Sequence, residues 1–410
     1  MKTKKKKENN FILLTPEQKA LLLLSNKILD DLQKTELLEI FSRQNFDWHQ
    51  FFELSFQHSL WPIVYNKLKN NFPFLLPQDI DLKFHLLNKH TAKRNIFLLD
   101  EFQKILSMFH DHGIQVIPLK GLELSQRLYE DFFSKTITDI DLLVPIPAIQ
   151  KAIFLLHSKL GYHSYNHSPY KLSSLFFWEK DLTLLKKKFE EDQAPSICEL
   201  HWAPCFNRVL DKKFLESTWK ESSMSAFEDI PLQRMPKENE LLFLLTHGSK
   251  HRWEKMSYLL DLHQFILWAN FSQQDWERMI EKAFCFGWNR FCLLGLALSK
   301  NYYKSPIPEP VFDILEKSWI TREEIFSVSK RSSSFPLPRH FTLLELFDSK
   351  KHKFFFILKS LRFPSSEIVK TYRLPFFLSF LYIPLSAFVA IRGWIQKNCS
   401  SLREFIRRIQ

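Results

Sequence analysis

The sequence predicts an α+β protein, in which a small mixed β-sheet core is flanked by helical N- and C-terminal regions. Apolar residues recur at three- and four-residue spacing through most of the 410 residues, which is typical of amphipathic helices. The chain has only 7 glycines, too few for large antiparallel sheets with many tight turns. Between residues 111 and 205, short apolar runs rich in β-branched residues alternate with helical segments, which indicates a local α/β unit.

The first predicted region, residues 1–110, is helical and begins with a basic tail. Thr15 stands where a helix N-cap is expected, because Pro16 suits the first helical position and Glu17 the first turn. The following segments keep the helical spacing up to Gly113, which is placed to end the last helix. We therefore expect several helices before the sheet.

The second region, residues 111–205, is predicted to have the order βαβαββ. "IQVIPL" at 114–119 predicts a strand, and residues 121–131 predict the helix after it. "TDIDLLV" at 138–144 predicts a second strand, followed by a helix that Gly161 closes. Two further strands are expected in "LFFWEKDLTLLKKKF" and "SICELHW", joined by the acidic turn "EEDQAP".

Two regions complete the chain. Residues 206–330 are predicted as a helical region, in which "ENELLFLLTHGSKHRWEKMSYLLDLHQFILWA" shows the clearest helical spacing. Residues 331–410 are predicted as a basic, apolar-rich C-terminal region, in which 374–391 has no charged residue. That uncharged segment contains two prolines and is short for a spanning helix, so it suits either a buried element or contact with a membrane interface.

The net charge of +12 is concentrated at the two ends of the chain. Residues 2–7 hold five lysines, and residues 350–410 hold twelve Lys and Arg against two acids. Such ends suit nucleic acid, anionic lipid or an acidic partner, or act only as solvated tails. The 5 cysteines contain no CxxC, and no signal peptide is visible. We therefore predict a cytoplasmic protein whose basic C-terminal region is suited to peripheral contact with an anionic membrane.

Two acids at alternate positions of the second strand indicate chemistry. Side chains alternate along a strand, so Asp139 and Asp141 are predicted to share one face. Two carboxylates this close repel each other unless a cation lies between them, and Mg²⁺ prefers such ligands. The preceding strand–glycine–helix element places backbone N–H groups where phosphates bind. The alternative is an exposed strand end with two solvated acids.

Several segments in this order resemble the DNA polymerase β superfamily of nucleotidyltransferases. "IPLKG" leads the turn, "LYED" ends the helix, "TDIDLLV" carries the acid pair, and "LGY" and "CELHW" follow. "THGSKHRWEKMSYLLDL" extends a closer resemblance, over about residues 50–270, to a bacterial group known as the uncharacterised nucleotidyltransferase family. No single segment is specific, but the ordered set is.

The resemblance implies roles for particular residues. The catalytic residues and metal ligands would be Asp139, Asp141 and Glu199, which would hold two Mg²⁺ ions. The nucleotide-binding residues would be Lys120, Gly121, Lys135 and His201. Two positions depart from the superfamily pattern, because Leu122 replaces a phosphate-contacting Ser and Lys135 replaces an Arg.

The resemblance implies a Mg²⁺-dependent nucleotidyltransferase, which moves a nucleoside monophosphate from an NTP to an acceptor and releases pyrophosphate. The acceptor could be a protein, a small molecule or RNA. The alternative is a catalytically inactive scaffold of the same fold that binds a nucleotide or a partner. His247 and His251, at i and i+4, allow a polar seam with Trp253 and Asp261, a metal site, or a contact with nucleotide or acceptor.

Overall fold

The computed structural model describes residues 14–164, 179–186, 194–207, 209–327 and 342–362, together with seven isolated positions between 372 and 388. The basic tail therefore lies outside the described residues, and so does most of the uncharged segment 374–391. Within the described part, no helix combines the length and the apolar character needed to cross a membrane.

Five helices precede the sheet, as the sequence predicts. They are α1 (Pro16–Ser25), α2 (Asp31–Phe41), α3 (Trp48–Gln57), α4 (Trp61–Asn71) and α5 (Gln78–Asp111). Thr15 caps α1 by accepting a hydrogen bond from the N–H of Gln18, whose side chain bonds back to the N–H of Thr15. Gly113 follows α5 with φ +66°, the left-handed conformation expected of a helix-ending glycine.

The sheet has five strands, in the order β1-β2-β5-β4-β3. Their bounds are β1 (Ile117–Pro118), β2 (Ile140–Leu143), β3 (His163–Ser164), β4 (Asp181–Lys186) and β5 (Ser196–His201). Strands β2 and β5 are parallel and the other pairs are antiparallel, so the sheet is mixed. Among the residues that the structure describes, two helices connect the strands, α6 (Leu122–Tyr129) and α7 (Ile146–Leu160). The predicted fold class is thereby confirmed.

The strands are shorter than predicted, because side chains and a hairpin take the backbone groups at their ends. Strand β2 begins at Ile140 rather than at Thr138, since the carbonyl of Thr138 accepts from the Arg94 guanidinium of α5 at 3.1 Å. Before β1, the carbonyl of Val116 accepts from the N–H of Gln233 at 2.9 Å. As a result, Asp139 lies one residue before the strand instead of on it.

The region predicted as helical after residue 206 contains a β-hairpin. Strands β6 (Ser223–Phe227) and β7 (Ile230–Arg234) pair in an antiparallel manner. Glu228 takes φ +49° in the two-residue turn between them. The alternating run on both sides of this turn is the sequence signal for the hairpin, and it is weaker than the helical spacing that follows.

Nine further helices complete the described chain. They are α8 (Lys212–Glu221), α9 (Lys237–Lys250), α10 (Met256–Ala269), α11 (Gln273–Phe286), α12 (Asn289–Tyr303), α13 (Glu309–Glu316), α14 (Arg322–Ser327), α15 (Leu343–Leu346) and α16 (Lys350–Arg362). The N-terminal helices share one hydrophobic core with α9–α15, whereas α5, α7 and the sheet enclose a second core. The helices from the two ends of the chain therefore pack together beside the sheet.

Candidate active site

The acidic site is built on the parallel pair β2 and β5. In its register, Asp141 is the direct partner of Glu199, so the two side chains lie side by side on one face of the sheet. Asp141 is buried, with 1% of its side chain exposed, while about a quarter of the Glu199 side chain is exposed. Asp139 precedes the strand and is partly exposed. The three predicted acids thus form one group, graded from buried to accessible.

Lys120 connects the two aspartates. Its Nζ lies 2.8 Å from Asp141 Oδ2 and 3.2 Å from each carboxylate oxygen of Asp139. Burial alone would lower the pKa of Lys120, but the charges of Asp141 and Asp139 outweigh it and raise that pKa above its ordinary value. The ammonium therefore stays charged and offsets part of the negative charge of the acid pair.

The two aspartates have opposite electrostatic character. Burial and the neighbouring charge of Asp141 raise the pKa of Asp139 despite the contact with Lys120. Burial also acts to raise the pKa of Asp141, but Lys120 and His201 overcome it and hold that pKa well below the usual range. Asp141 is therefore a fixed anion at neutral pH, and Asp139 takes up a proton more readily.

His201 holds the two innermost acids in place. Its Nε2 lies 2.9 Å from Asp141 Oδ1 and 3.4 Å from Glu199 Oε2. Since Asp141 is ionised, Nε2 carries the hydrogen and donates it to the carboxylate. Burial tends to raise the pKa of Glu199, but the bond from His201 and nearby charges lower it. On the other side of the ring, Nδ1 is 3.5 Å from Asp181 Oδ2.

The donor atoms present fit a divalent cation. Asp141, Glu199 and His201 each offer a ligand atom, and these atoms all lie within 4.8 Å of one another. Asp139 is outside this closest group and is joined to it through Lys120. Asp141 Oδ2 is buried and accepts no hydrogen bond from the described residues, although the Lys120 ammonium lies 2.8 Å from it. Carboxylate oxygens suit Mg²⁺, and the imidazole would also suit Mn²⁺ or Zn²⁺.

Gly121 forms the turn between β1 and α6. Its φ of +74° and ψ of −126° are strained for any residue with a Cβ. A Cβ at this position would meet the carbonyl oxygen of Asp139 at 3.6 Å, an ordinary contact, so the backbone conformation is what requires glycine. No side chain caps the α6 N-terminus, which leaves its first N–H groups available to an anion.

The two departures from the superfamily pattern have structural explanations. Lys135, predicted to bind nucleotide, forms an ion pair with Asp261 of α10, and the hydroxyl of Tyr129 donates to the same carboxylate at 2.8 Å. The Lys135 ammonium therefore connects the sheet core to α10 and does not contact the acid pair. Leu122 is buried in the core of the sheet, where a hydroxyl is not needed for packing.

Three groups near the acids were not assigned to the site from the sequence. Lys180 lies 3.7 Å from Glu199 Oε2 and also pairs with Asp181. Burial, reinforced by the charge of Lys250, lowers the pKa of Lys180 to about 8. The other two groups are Asp181, which contacts His201, and Tyr258 of α10. The alternation in "EKDLTLL" predicts the strand that begins at Asp181, but only its antiparallel pairing opposite His201 shows that its first residues reach the site.

The mixed sheet, the grouped carboxylates and the glycine turn before α6 define the class of protein, a nucleotidyltransferase. More specifically, the chain belongs to the uncharacterised nucleotidyltransferase family, whose model matches residues 44–304. This confirms the resemblance seen in the sequence and gives the chain a general role in nucleotidyl transfer.

Two further comparisons add little. No curated protein is significantly similar in sequence to the chain. Among solved structures, the chain is similar to an antigenic nucleotidyltransferase-like protein from Paracoccidioides brasiliensis, with 13% identity and a TM-score of 0.33, over 56% of this chain and 97% of that chain. The family model alone carries the assignment.

Proposed function

We propose that the protein is a Mg²⁺-dependent nucleotidyltransferase, which transfers a nucleoside monophosphate from an NTP to an acceptor and releases pyrophosphate. One observation supports this most strongly. Asp141 and Glu199 are partners across the parallel strands, and Asp139 is tied to Asp141 through Lys120. Two carboxylates on one face of the sheet, with a third just before the strand, are the oxygen ligands that Mg²⁺ prefers.

Asp139, Asp141 and Glu199 would hold the metal, with two ions expected. When bound, the ions supply charge neutralisation for the phosphates and for the oxygens that enter and leave. The contact of His201 with Asp141 fixes the orientation of the innermost ligand. Binding a cation between the aspartates requires the Lys120 ammonium to move, because it lies in contact with both carboxylates.

Lys120 and the start of α6 would bind the triphosphate. The displaced ammonium remains next to Gly121 and the uncapped helix N-terminus, where a cation and free N–H groups stabilise the same anion. Glu199 is ionised at neutral pH and is more accessible than Asp141, so it would accept the proton of the attacking group. His201, which lies beside Glu199, would be a further nucleotide-binding residue.

A second candidate, an inactive nucleotide- or partner-binding scaffold, is favoured by one specific observation. The Lys120 ammonium already contacts both aspartates, so part of their charge is compensated without a metal. The assignment of Lys135 to Asp261 also removes one expected nucleotide contact. In this alternative, the carboxylates would stabilise the fold and would have no catalytic role.

Transfer of label from NTP separates the two candidates. Purified protein is incubated with Mg²⁺, each α-³²P-labelled NTP and cell extract, and the protein, RNA and small-molecule fractions are counted. We expect label in one fraction, which identifies the acceptor, and we expect EDTA to abolish it. Asp139→Asn should also abolish it, whereas Asp31→Asn, which changes a fully exposed carboxylate, serves as the matched control. Label in no fraction would reject the enzyme in favour of the scaffold.

The cytoplasmic location and the peripheral contact with anionic membrane remain predictions. The supporting feature is the basic C-terminal region, most of which lies outside the described residues. Sedimentation with vesicles containing phosphatidylserine, at low and high salt, tests the contact, because an electrostatic attachment weakens as salt rises.

A further inference from the structure

Three rings form an aromatic cluster at the end of α9 and the beginning of α10, consisting of His247, His251 and Tyr258. The centroids of His247 and His251 are 4.6 Å apart, and each lies 5.5 Å from the centroid of Tyr258. Trp253 fixes the turn that joins the two helices. Its buried ring lies so close to Gly248 that a Cβ there would come within 2.3 Å of it.

The polar atoms of the aromatic cluster are available to a ligand. Among the described residues, neither imidazole nor the Tyr258 hydroxyl makes a hydrogen bond, although the rings contact one another. His251 is the most exposed of the three but is partly covered, and His247 and Tyr258 are half-buried. The predicted seam of His, Trp253 and Asp261 is not formed, because Trp253 donates to Ser249 and Asp261 binds Tyr129 and Lys135.

The aromatic cluster lies beside the acidic site, since Tyr258 is one turn from Asp261 on α10, and Asp261 binds both Lys135, which precedes Asp139 in the chain, and Tyr129 of α6. Burial lowers the pKa of His247 well below its usual value, and the charge of Lys120 contributes next. Burial and the charges of Lys250 and Lys120 lower the pKa of His251 to about 4. Both imidazoles are therefore neutral at pH 7. They present flat, uncharged surfaces with hydrogen-bonding edges beside a strongly charged site.

We propose that the aromatic cluster binds the base of the nucleotide, while Lys120 and the start of α6 bind its phosphates. The inference rests on the proposed function, because it names the part of the substrate that this side of the site recognises. Neutral rings suit a planar heteroaromatic group, which stacks on them and bonds to their polar edges, whereas phosphates need the cations opposite. A metal site at the two histidines lacks a third ligand in the described part of the chain.

Calorimetry with three probes tests this assignment. Wild type, His251→Ala, Tyr258→Ala and Tyr258→Phe are titrated in Mg²⁺ with each NTP, with inorganic tripolyphosphate and with each nucleoside. His85→Ala, which truncates an exposed histidine on α5, is the matched control, and thermal melts verify folding. We expect His251→Ala and Tyr258→Ala to weaken the preferred NTP about tenfold and to leave tripolyphosphate within twofold. Tyr258→Phe, which keeps the ring, should retain most of the NTP affinity.

The outcomes separate this inference from the proposed function. If the alanine variants bind every NTP as wild type does, or lose tripolyphosphate equally, the aromatic cluster does not bind the base and the inference is wrong, although the transferase remains. If wild type binds nucleosides in a manner that depends on His251 and Tyr258, yet labels no acceptor, the inference stands and the transferase does not. If wild type binds none of the probes, both are rejected.

Discussion

Asp141 and Glu199 are opposite each other on adjacent parallel strands, and a single imidazole, that of His201, contacts both carboxylates. These two acids are separated by 58 positions in the chain but are neighbours in the sheet. The pairing places one acid in the interior and the other toward solvent. We therefore expect substitutions of the two acids to have different effects. Replacing the buried ligand should weaken binding, whereas replacing the accessible base should slow transfer.

Nucleotide binding and transfer should respond differently to the three acids. Asp139→Asn and Asp141→Asn should lose Mg²⁺-dependent NTP binding and transfer together, because both are expected to position the metal and the triphosphate. Glu199→Gln should keep most NTP binding and lose transfer by ~100-fold or more, the usual scale for a general base. Calorimetry and label transfer on the same preparations measure both. Equal loss of binding in Glu199→Gln would make Glu199 chiefly a metal ligand and would contradict its role as the general base.

The two asparagine variants should also differ in stability. Since the pKa of Asp139 is raised, its charge is unfavourable in the folded protein, and Asp139→Asn should keep or slightly raise the melting temperature. The pKa of Asp141 is lowered, so its charge is favourable, and Asp141→Asn should cost about 1–3 kcal/mol by weakening the contacts with Lys120 and His201. Urea unfolding in EDTA measures this. A more stable Asp141→Asn would contradict the assignment of Lys120 as its counterion.

Lys120 should stabilise the folded protein when no metal is bound, and a bound metal ion should be able to replace its charge. Lys120→Met leaves two close carboxylates without their cation, and we expect a loss of about 2 kcal/mol or more in EDTA. Mg²⁺ should restore more of the melting temperature in this variant than in wild type, because the ion replaces the missing charge. Lys34→Met, which breaks an exposed pair with Asp31, is the control and should change little. An unchanged melting temperature for Lys120→Met in EDTA would argue against the bridge.

His263 should make stability fall in mild acid. It is buried against Tyr303, its Nδ1 lies 2.8 Å from Ser305 Oγ, and burial lowers its pKa to about 4. A lowered pKa gives stability that is fully present above the unfolded value of about 6.5 and is lost as pH falls from there toward 4, because the unfolded chain binds the proton first. His263→Gln should therefore flatten the decline between pH 6.5 and 4 by about 2 kcal/mol. The exposed substitution His85→Gln should leave the curve as it is in wild type, and an equally steep curve for His263→Gln would refute the assignment.

Gly121→Ala should destabilise the turn before α6 through the backbone alone. The φ of +74° with ψ of −126° is accessible mainly to glycine, and we expect a loss of about 1–3 kcal/mol. Gly113→Ala is the comparison, because Gly113 has φ +66° in open space, where the left-handed conformation costs roughly 1 kcal/mol. Chemical denaturation gives both values. A smaller loss at Gly121 than at Gly113 would show that the turn relaxes.

The sequence by itself determined those features that depend on local spacing. Thr15 and Gly113 mark helix ends because caps and left-handed glycines act within one turn. The spacing of Asp139 and Asp141 marks the acid pair, although Asp139 lies before β2 rather than on it, and the ordered motifs identify the family over a long span. The acids, Lys120 and Gly121 could be selected for the same reason, since each belongs to a short motif.

Only the tertiary structure decided which distant groups meet. The Arg94 guanidinium from α5 takes the carbonyl of Thr138 and shortens β2, an interaction across 44 positions that no local pattern encodes. Lys135 is drawn to Asp261 on α10 rather than to the acid pair, because the packing of that helix supplies a nearer counterion. The aromatic cluster lies beside the acidic site for a similar reason. The burial of apolar helix faces decides which residues lie next to the aromatic cluster. Because hydrophobic burial is not directional, the spacing of the polar residues does not predict which of them it brings together.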